Sequence, residues 1–140
     1  MEKDLKELLL KDLSARLPYG VKVNWNNNVY YFTGIYGFNV CVLSVDNDST
    51  GIDYIKPYTT VGINYIKPYL FPMSSMTEEQ EKEYDKIIYH SIELHHREYS
   101  DIVEIDLFDI LQDFYCKNHL DYRGLIEKGL ALDATGLNIY

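Results

Sequence analysis

Apolar residues recur at helical spacing near the amino terminus and in the second half of the chain, and at strand spacing in between. In the first segment the leucines form one stripe, and this predicts an amphipathic helix that stops at Pro18. The stripe consists of Leu5, Leu8, Leu9, Leu13 and Leu17, whereas Lys3, Glu7, Lys11 and Arg16 lie mostly off it. Such a stripe most commonly packs on the protein's own sheet.

From residue 21 to residue 45 the pattern is that of strands, rich in β-branched and aromatic residues. Three runs stand out: VKVNW, NVYYFTGIY and FNVCVLSV. The turn after the first run contains Asn26, Asn27 and Asn28, which tolerate positive φ, and Gly34 and Gly37 bracket the next bend. A polar segment follows, so the simplest prediction is a three-stranded meander with IDYIKPY as a fourth strand.

Residues 51–72 read GIDYIKPYTTVGINYIKPYLFP, in which one eight-residue phrase occurs twice with a single difference. Repeat arrays need at least three units of about twenty residues or more, so we interpret the pair as a local duplication of one strand. With TTVG as the turn, the copies could pair as a hairpin. Pro57 and Pro68 lack a donor for the ladder, which predicts strand ends or an edge position.

After Pro72 the pattern is helical. Thr77 and Gln80 form a capping box at the start of one helix, and a second helix is predicted to begin near Asp101. A shorter helix should be capped by Asp121 and end at Gly129. The apolar positions predicted to face inward are Tyr84, Ile87, Ile88 and Ile92 on the first helix and Leu107, Phe108, Leu111, Phe114 and Tyr115 on the second.

The order of these elements predicts an α+β fold in one domain. Its parts are an amino-terminal helix over 1–18, a β-meander over 19–72 and a helical part over 73–140. The sheet should be small, antiparallel and strongly bent, with an SH3-like barrel as one form that it could take.

The chain carries 22 acidic and 13 basic residues, for a formal charge of −9. This charge disfavours direct binding to nucleic acid or to anionic membranes. It could attract a basic partner or imitate nucleic acid, but most acidic domains are acidic only for solubility. No apolar run suits a signal peptide or a membrane span, and Cys41 and Cys116 form no CxxC motif. We therefore expect a cytoplasmic protein with two buried thiols.

Three blocks of the chain resemble a family of proteins of unknown activity that is abundant in gut bacteria and in their phages and mobile elements. The blocks are KDLSARLPYGVKV, KPYLFPMSSMTEEQ and NHLDYRGLIEKGLALDA. The resemblance implies no catalytic residue and no cofactor. It does imply that residues 24–53 and 82–104 are the variable segments, and that a family member has one strand before KPYL where this chain has two copies. Constant blocks around variable segments suggest a scaffold that presents those segments to a partner.

Two groups of residues are candidates for metal binding or catalysis. His90, Glu93 and His96 share one side of the predicted helix, so a small metal-dependent hydrolase is one alternative, although the spacing is not that of HExxH. Cys116 and His119 are three residues apart, as a nucleophile and its base could be, but cysteine on an apolar helix face usually belongs to the core. Phosphate-binding and nucleophile-elbow motifs are absent. We predict no cofactor and no metal, and enzymatic activity is the minority hypothesis.

Tyrosine is the most unusual component, with 14 residues of this type. Adjacent residues of a strand point to opposite faces, so Tyr30 and Tyr31 cannot both lie in the core of a sheet covered on one face. Aromatic residues of this kind favour protein interfaces. We predict a non-enzymatic accessory protein of phage or mobile-element type that binds another protein, or alternatively a homodimer that pairs an edge strand. The predicted binding residues are Trp25, Tyr31, Tyr36, Tyr54, Tyr58 and Tyr65.

Overall fold

The computed structural model describes residues 2–37, 40–45, 58–95 and 100–140. Its three helices are α1 (Lys3–Arg16), α2 (Glu78–His95) and α3 (Ser100–Lys117). The strands are β1 (Lys22–Trp25), β2 (Asn28–Tyr36), β3 (Val40–Ser44), β4 (Tyr58–Gly62), β5 (Lys67–Leu70) and β6 (Leu132–Asp133). Short 3₁₀ turns cover Leu17–Tyr19, Ile63–Tyr65 and Met73–Ser75. The predicted α+β class is confirmed.

The six strands form one sheet in the order β4-β3-β2-β1-β5-β6. All neighbouring pairs are antiparallel except β5 with β6. The predicted turn between β1 and β2 is confirmed, because Asn26 and Asn27 have φ of 52° and 64°, as a tight hairpin with the native twist requires. In β2 the register shifts between Phe32 and Gly34, which bends the strand at a bulge.

The main core lies between α1 and one face of the sheet. Leu9 and Leu13 of α1 are fully buried, as the leucine stripe predicts, and they pack with Val23, Phe32 and Leu43. The stripe does not extend to its last member, because Leu17 already lies in the 3₁₀ turn and is 40% exposed. Along the described helices, none combines the length and apolar character that a membrane crossing needs.

The duplicated phrase does not form the predicted hairpin. The TTVG segment, taken as a turn, is part of β4, in which Thr59 pairs with Leu43 and Val61 with Cys41. The chain then bends through a 3₁₀ turn and enters β5, on the other side of β1. The first copy up to Pro57 lies outside the described residues.

Pro68 occupies an interior strand, contrary to the prediction of a strand end or an edge. It is buried in β5 opposite Val23, and β5 lies between β1 and β6. β5 pairs with β6 only from Tyr69 onward. The described hydrogen bonds between β5 and β6 therefore require no backbone N–H from Pro68.

The segment after α3 departs from the prediction. Residues 121–131 form consecutive turns in place of the short helix, because Gly124 has φ of 70° and interrupts a helical path. That dihedral angle, and not close packing, is the reason for glycine there, since an added Cβ would meet only Lys128 Nζ at 4.0 Å. The helix cap predicted at Asp121 is therefore not formed, although its carboxylate accepts from Leu125 N at 2.8 Å and Ile126 N at 2.9 Å.

The long helices are placed as predicted, with one exception in their orientation. Thr77 and Gln80 form the capping box, their side chains and amides bonded reciprocally at 2.9 and 3.2 Å. Phe114 is buried, but Phe108 is 63% exposed although it was predicted to face inward. Six residues turn an α-helix by about 240°, so these two rings cannot share one face.

Candidate functional site

One end of the sheet carries a row of three paired residues, one each from β2, β3 and β4, of which Tyr36 is exposed and Val40 and Gly62 are half-buried. Tyr36 pairs with Val40, which pairs with Gly62. The adjacent pair of Cys41 and Val61 is buried in the core. Because successive residues of a strand point to opposite faces, the three members of the row point away from the core.

Tyr65 completes this row from the 3₁₀ turn after β4. A Cβ placed on Gly62 would meet the Tyr65 ring at 3.4 and 3.5 Å, so the ring covers the space that the missing side chain leaves. Tyr36 and Tyr65 are 73% and 72% exposed. Tyr36 lies in β2 and Tyr65 follows β4, and these two strands are about 10 Å apart because β3 lies between them. We call Tyr36, Val40 and Tyr65 the tyrosine row.

Two of the other predicted binding residues, Trp25 and Tyr31, do not join the tyrosine row. Trp25 packs on the core and contacts Tyr30 with ring centroids 5.4 Å apart. Tyr31 is half-buried five residues before Tyr36, under the Lys22 ammonium at 5.0 Å. Tyr58 lies in β4, but its side chain, like all of Tyr54, lies outside what the structure describes.

A buried ionic cluster, which the sequence pattern did not predict, joins α1 to the carboxyl-terminal turns. Asp12 and Arg16 are both fully buried and form a two-pronged ion pair with contacts of 2.7 and 3.2 Å. Arg16 also donates to the Leu120 carbonyl at 2.6 Å, and Arg123 Nε lies 3.3 Å from Asp12. The prediction that Arg16 lies off the buried stripe is wrong, because these partners compensate its charge inside the protein. Arg123 thus shares the Asp12 carboxylate with Arg16.

Aromatic and thiol groups surround this cluster. Tyr122 stacks on Tyr115 with centroids 5.0 Å apart, and the Arg16 and Arg123 guanidinium carbons lie 5.4 and 4.8 Å from its ring centroid. The Cys116 thiol lies beside Tyr122, and burial raises its pKa more than the nearby Arg16 lowers it. A neutral buried thiol is a poor nucleophile.

His119 does not act as a base for Cys116. It lies just beyond α3 in a left-handed conformation with φ of 56°, and its ring stacks on Tyr140 with centroids 3.6 Å apart. Burial, with Arg16 and Lys22 nearby, lowers its pKa to about 4. The proposed pair of nucleophile and base is therefore not formed.

We expect both thiols to be unreactive in the native protein. Burial raises the pKa of Cys41 to about 11 and that of Cys116 in the same direction. Labelling with a disulfide reagent at pH 8 should run roughly a hundredfold more slowly than in the urea-unfolded chain, because the thiolate fraction is small and access is blocked. Fast labelling of either cysteine in the folded protein would show that the burial described here is incorrect.

The three sequence blocks KDLSARLPYGVKV, KPYLFPMSSMTEEQ and NHLDYRGLIEKGLALDA meet in this region. Asp12 and Arg16 come from the first block, and Leu120 and Arg123 from the third. Phe71 of the second block exchanges backbone hydrogen bonds of 2.8 Å with residues 119 and 121. The blocks thus form one continuous structural unit.

A shallow pocket of about 410 Å³ opens beside this unit, between Met73, Tyr122 and Glu127. Asp121 lies in its wall, but both of its carboxylate oxygens already accept backbone hydrogen bonds. Glu127 is then the pocket's remaining carboxylate, so no acid and base pair is formed there.

The predicted histidine cluster is only partly described. His90 and Glu93 are exposed on α2, and His96 lies outside the described residues. A hydrogen bond from the Tyr89 hydroxyl to Glu93 raises the pKa of Tyr89. Among the residues that the structure describes, no three His, Cys, Asp or Glu side chains converge as metal ligands.

These features define an α+β protein with an exposed tyrosine row at one end of its sheet and a buried ionic cluster behind α1. No protein-family model matches the chain, and neither a curated protein nor a solved structure shows significant similarity to it.

Proposed function

We propose that this chain is a non-enzymatic protein-binding domain whose contact surface is the tyrosine row. The observation that carries the proposal is the placement of two tyrosines, each more than 70% exposed, on the same outward face about two strands apart. Tyrosine offers a large rigid surface with a polar end, and exposed aromatic residues of this kind dominate interface energetics.

The chemistry of the partner follows from charge. At −9 the chain attracts a basic surface over several ångströms and repels nucleic acid. We therefore propose a protein partner with a basic surface around an apolar contact. The association should slow as salt rises, because screening weakens steering before it weakens apolar contact.

A binding experiment with matched variants tests this function. The tagged chain is used to capture partners from host lysate, and the affinity of any captured protein is then measured for each variant. Tyr36→Ala combined with Tyr65→Ala should weaken binding at least about thirtyfold, the effect of losing roughly 2 kcal/mol at an interface centre.

The control is Tyr89→Ala, which removes a tyrosine that is 64% exposed on α2, away from the sheet. It should leave the affinity unchanged. A partner that binds the double variant as tightly as the original chain would exclude the tyrosine row as the contact surface.

The homodimer stays a second candidate, favoured by one observation. β4 is the outermost strand of the described sheet on its side, pairing with β3 alone among the described strands. An open strand edge can pair with the same edge of a second copy. Light scattering that gives a monomer at high concentration would remove this candidate.

Three finer predictions are also proposals: the SH3-like form of the sheet, the cytoplasmic location, and the accessory role in phages or mobile elements. An SH3-like form of the sheet is supported by a meander whose first strand also pairs with the strand after a 3₁₀ turn. A cytoplasmic location is supported by two free, buried cysteines. The accessory role in phages or mobile elements rests on the resemblance of the three blocks.

A further inference from the structure

The ladder between β1 and β5 contains a gap that a side chain fills. The two strands pair at Val23 with Pro68 and at Asn24 with Lys67, and the same register would place Lys22 opposite Tyr69. In place of that direct pair, the Tyr140 hydroxyl accepts from Lys22 N at 2.8 Å and donates to the Tyr69 carbonyl at 2.8 Å. One phenolic hydroxyl therefore satisfies a donor and an acceptor of two different strands.

The surrounding side chains form walls for the phenol ring. His119 stacks on it with centroids 3.6 Å apart and planes inclined by 12°, and Phe71 contacts it at 5.9 Å. The Lys22 ammonium lies 5.6 Å from the ring centroid, a cation–π contact. We call this site the seat of Tyr140. It consists of the aromatic rings of His119 and Phe71, the Lys22 ammonium, and the backbone N–H of Lys22 with the backbone carbonyl of Tyr69.

The tail that carries Tyr140 is held mainly at its end. Gly136 and Asn138 have φ of 76° and 55°, and these two left-handed residues fold the tail back toward β1. Thr135 N donates to Asp133 at the end of β6, and the other described hydrogen bonds from residues 135–140 to the sheet involve Ile139 or Tyr140. Leu137 is 52% exposed. Tyr140 as a whole residue is 39% exposed, whereas burial of its hydroxyl raises the pKa of the phenol.

We propose that the seat of Tyr140 is a binding site for a phenol, that is, for a tyrosine side chain, and that the chain's own tail occupies it in this structure. A tyrosine of another extended chain has the same hydroxyl and ring and fits once the tail moves away. This site is separate from the tyrosine row and does not depend on it.

Chemical rescue of an emptied seat tests the proposal. Tyr140→Gly in the full chain removes the ring and should lower the melting temperature. Adding p-cresol, which is the tyrosine side chain as a free molecule, should raise the melting temperature of this variant in a saturable way. Toluene has the same shape without the hydroxyl, and should bind about tenfold more weakly because Lys22 N and the Tyr69 carbonyl stay unpaired.

Two controls make the result specific. The original chain should not respond to p-cresol, since its seat is filled, and neither should Tyr36→Gly, which removes an exposed tyrosine elsewhere. An absent response of Tyr140→Gly, an equal response to toluene, or an equal response of Tyr36→Gly would each overturn the proposal.

A second variant covers the case in which Tyr140→Gly does not fold. Tyr140→Phe keeps the ring and removes the hydroxyl, so the amide hydrogen of Lys22 should exchange with solvent at least about tenfold faster while the core amides of β1 stay protected. Unchanged exchange at Lys22, together with refolding of Tyr140→Gly that p-cresol does not assist, would contradict the proposed site.

Discussion

Replacing Asp12 by alanine should lower the free energy of unfolding by about 3–5 kcal/mol, the range found when one partner of a buried ion pair is removed. Arg16 would keep its positive charge at a position with no solvent exposure, and Arg123 would lose the same carboxylate. Arg16 Nη1 already lacks a hydrogen-bond partner among the described residues, so no spare acceptor is at hand. Urea unfolding at pH 7 gives the change directly.

Two further variants separate the ion pair from a general effect on α1. Lys11→Ala changes the exposed neighbouring residue and should alter stability by less than about 0.5 kcal/mol. Asp12→Leu combined with Arg16→Met removes both charges and should recover a large part of the loss, because the desolvation cost disappears with them. A loss below about 1 kcal/mol for Asp12→Ala would show that the cluster is solvated.

Lowering the pH from 7 to about 4 should remove roughly 3 kcal/mol of stability through His119 alone. Burial and the positive charges of Arg16 and Lys22 lower its pKa to about 4 from the ordinary 6.5. In this window the unfolded chain binds a proton that the folded chain does not bind, so stability is complete above pH 6.5 and falls as the pH decreases. Each pKa unit corresponds to about 1.4 kcal/mol, which gives the stated magnitude.

Carboxylates titrate in the same pH range. The contribution of His119 is therefore measured as the difference in the pH dependence of stability between the original chain and a variant without this histidine. His119→Asn removes the titrating ring and keeps a residue that tolerates φ of 56°. Its stability should depend on pH much less than that of the original chain, whereas His90→Asn, at an exposed position, should change nothing. Parallel pH profiles for the original chain and His119→Asn would refute the role assigned to this histidine.

Local patterns predicted much of the fold. The leucine stripe, the asparagine turn and the capping box each depend on neighbouring residues, and each is present in the structure. The hairpin prediction was wrong at its turn. The TTVG segment pairs with β3 as part of β4, and the second copy then continues into β5 beside β1.

The buried cluster could not be predicted from the pattern of apolar positions. Asp12 and Arg16 look like ordinary exposed helix residues, and their burial depends on Leu120 and Arg123, more than a hundred residues away. The four-residue spacing of a carboxylate and a guanidinium was the one available signal, and it is common on solvated helices. The seat of Tyr140 likewise depends on a contact between Lys22 and Tyr140, which are 118 residues apart.

The candidate surface was predicted in part. Tyr36 and Tyr65 are exposed together, whereas Trp25 supports the core and Tyr31 lies under Lys22. Tyr31 and Tyr36 both point away from the core, because the bulge in β2 shifts the alternation of the strand between them, and they differ because Lys22 covers the Tyr31 ring. A bulge of one residue has no clear signature in a strand rich in aromatic residues.

Hydrogen–deuterium exchange of the chain with and without a captured partner tests the central claim most directly. We expect slower exchange at the backbone around Tyr36, Val40 and residues 62–65 in the complex, with α2 and α3 unchanged. Slower exchange confined to the helices, and none at the tyrosine row, would contradict the proposed binding surface.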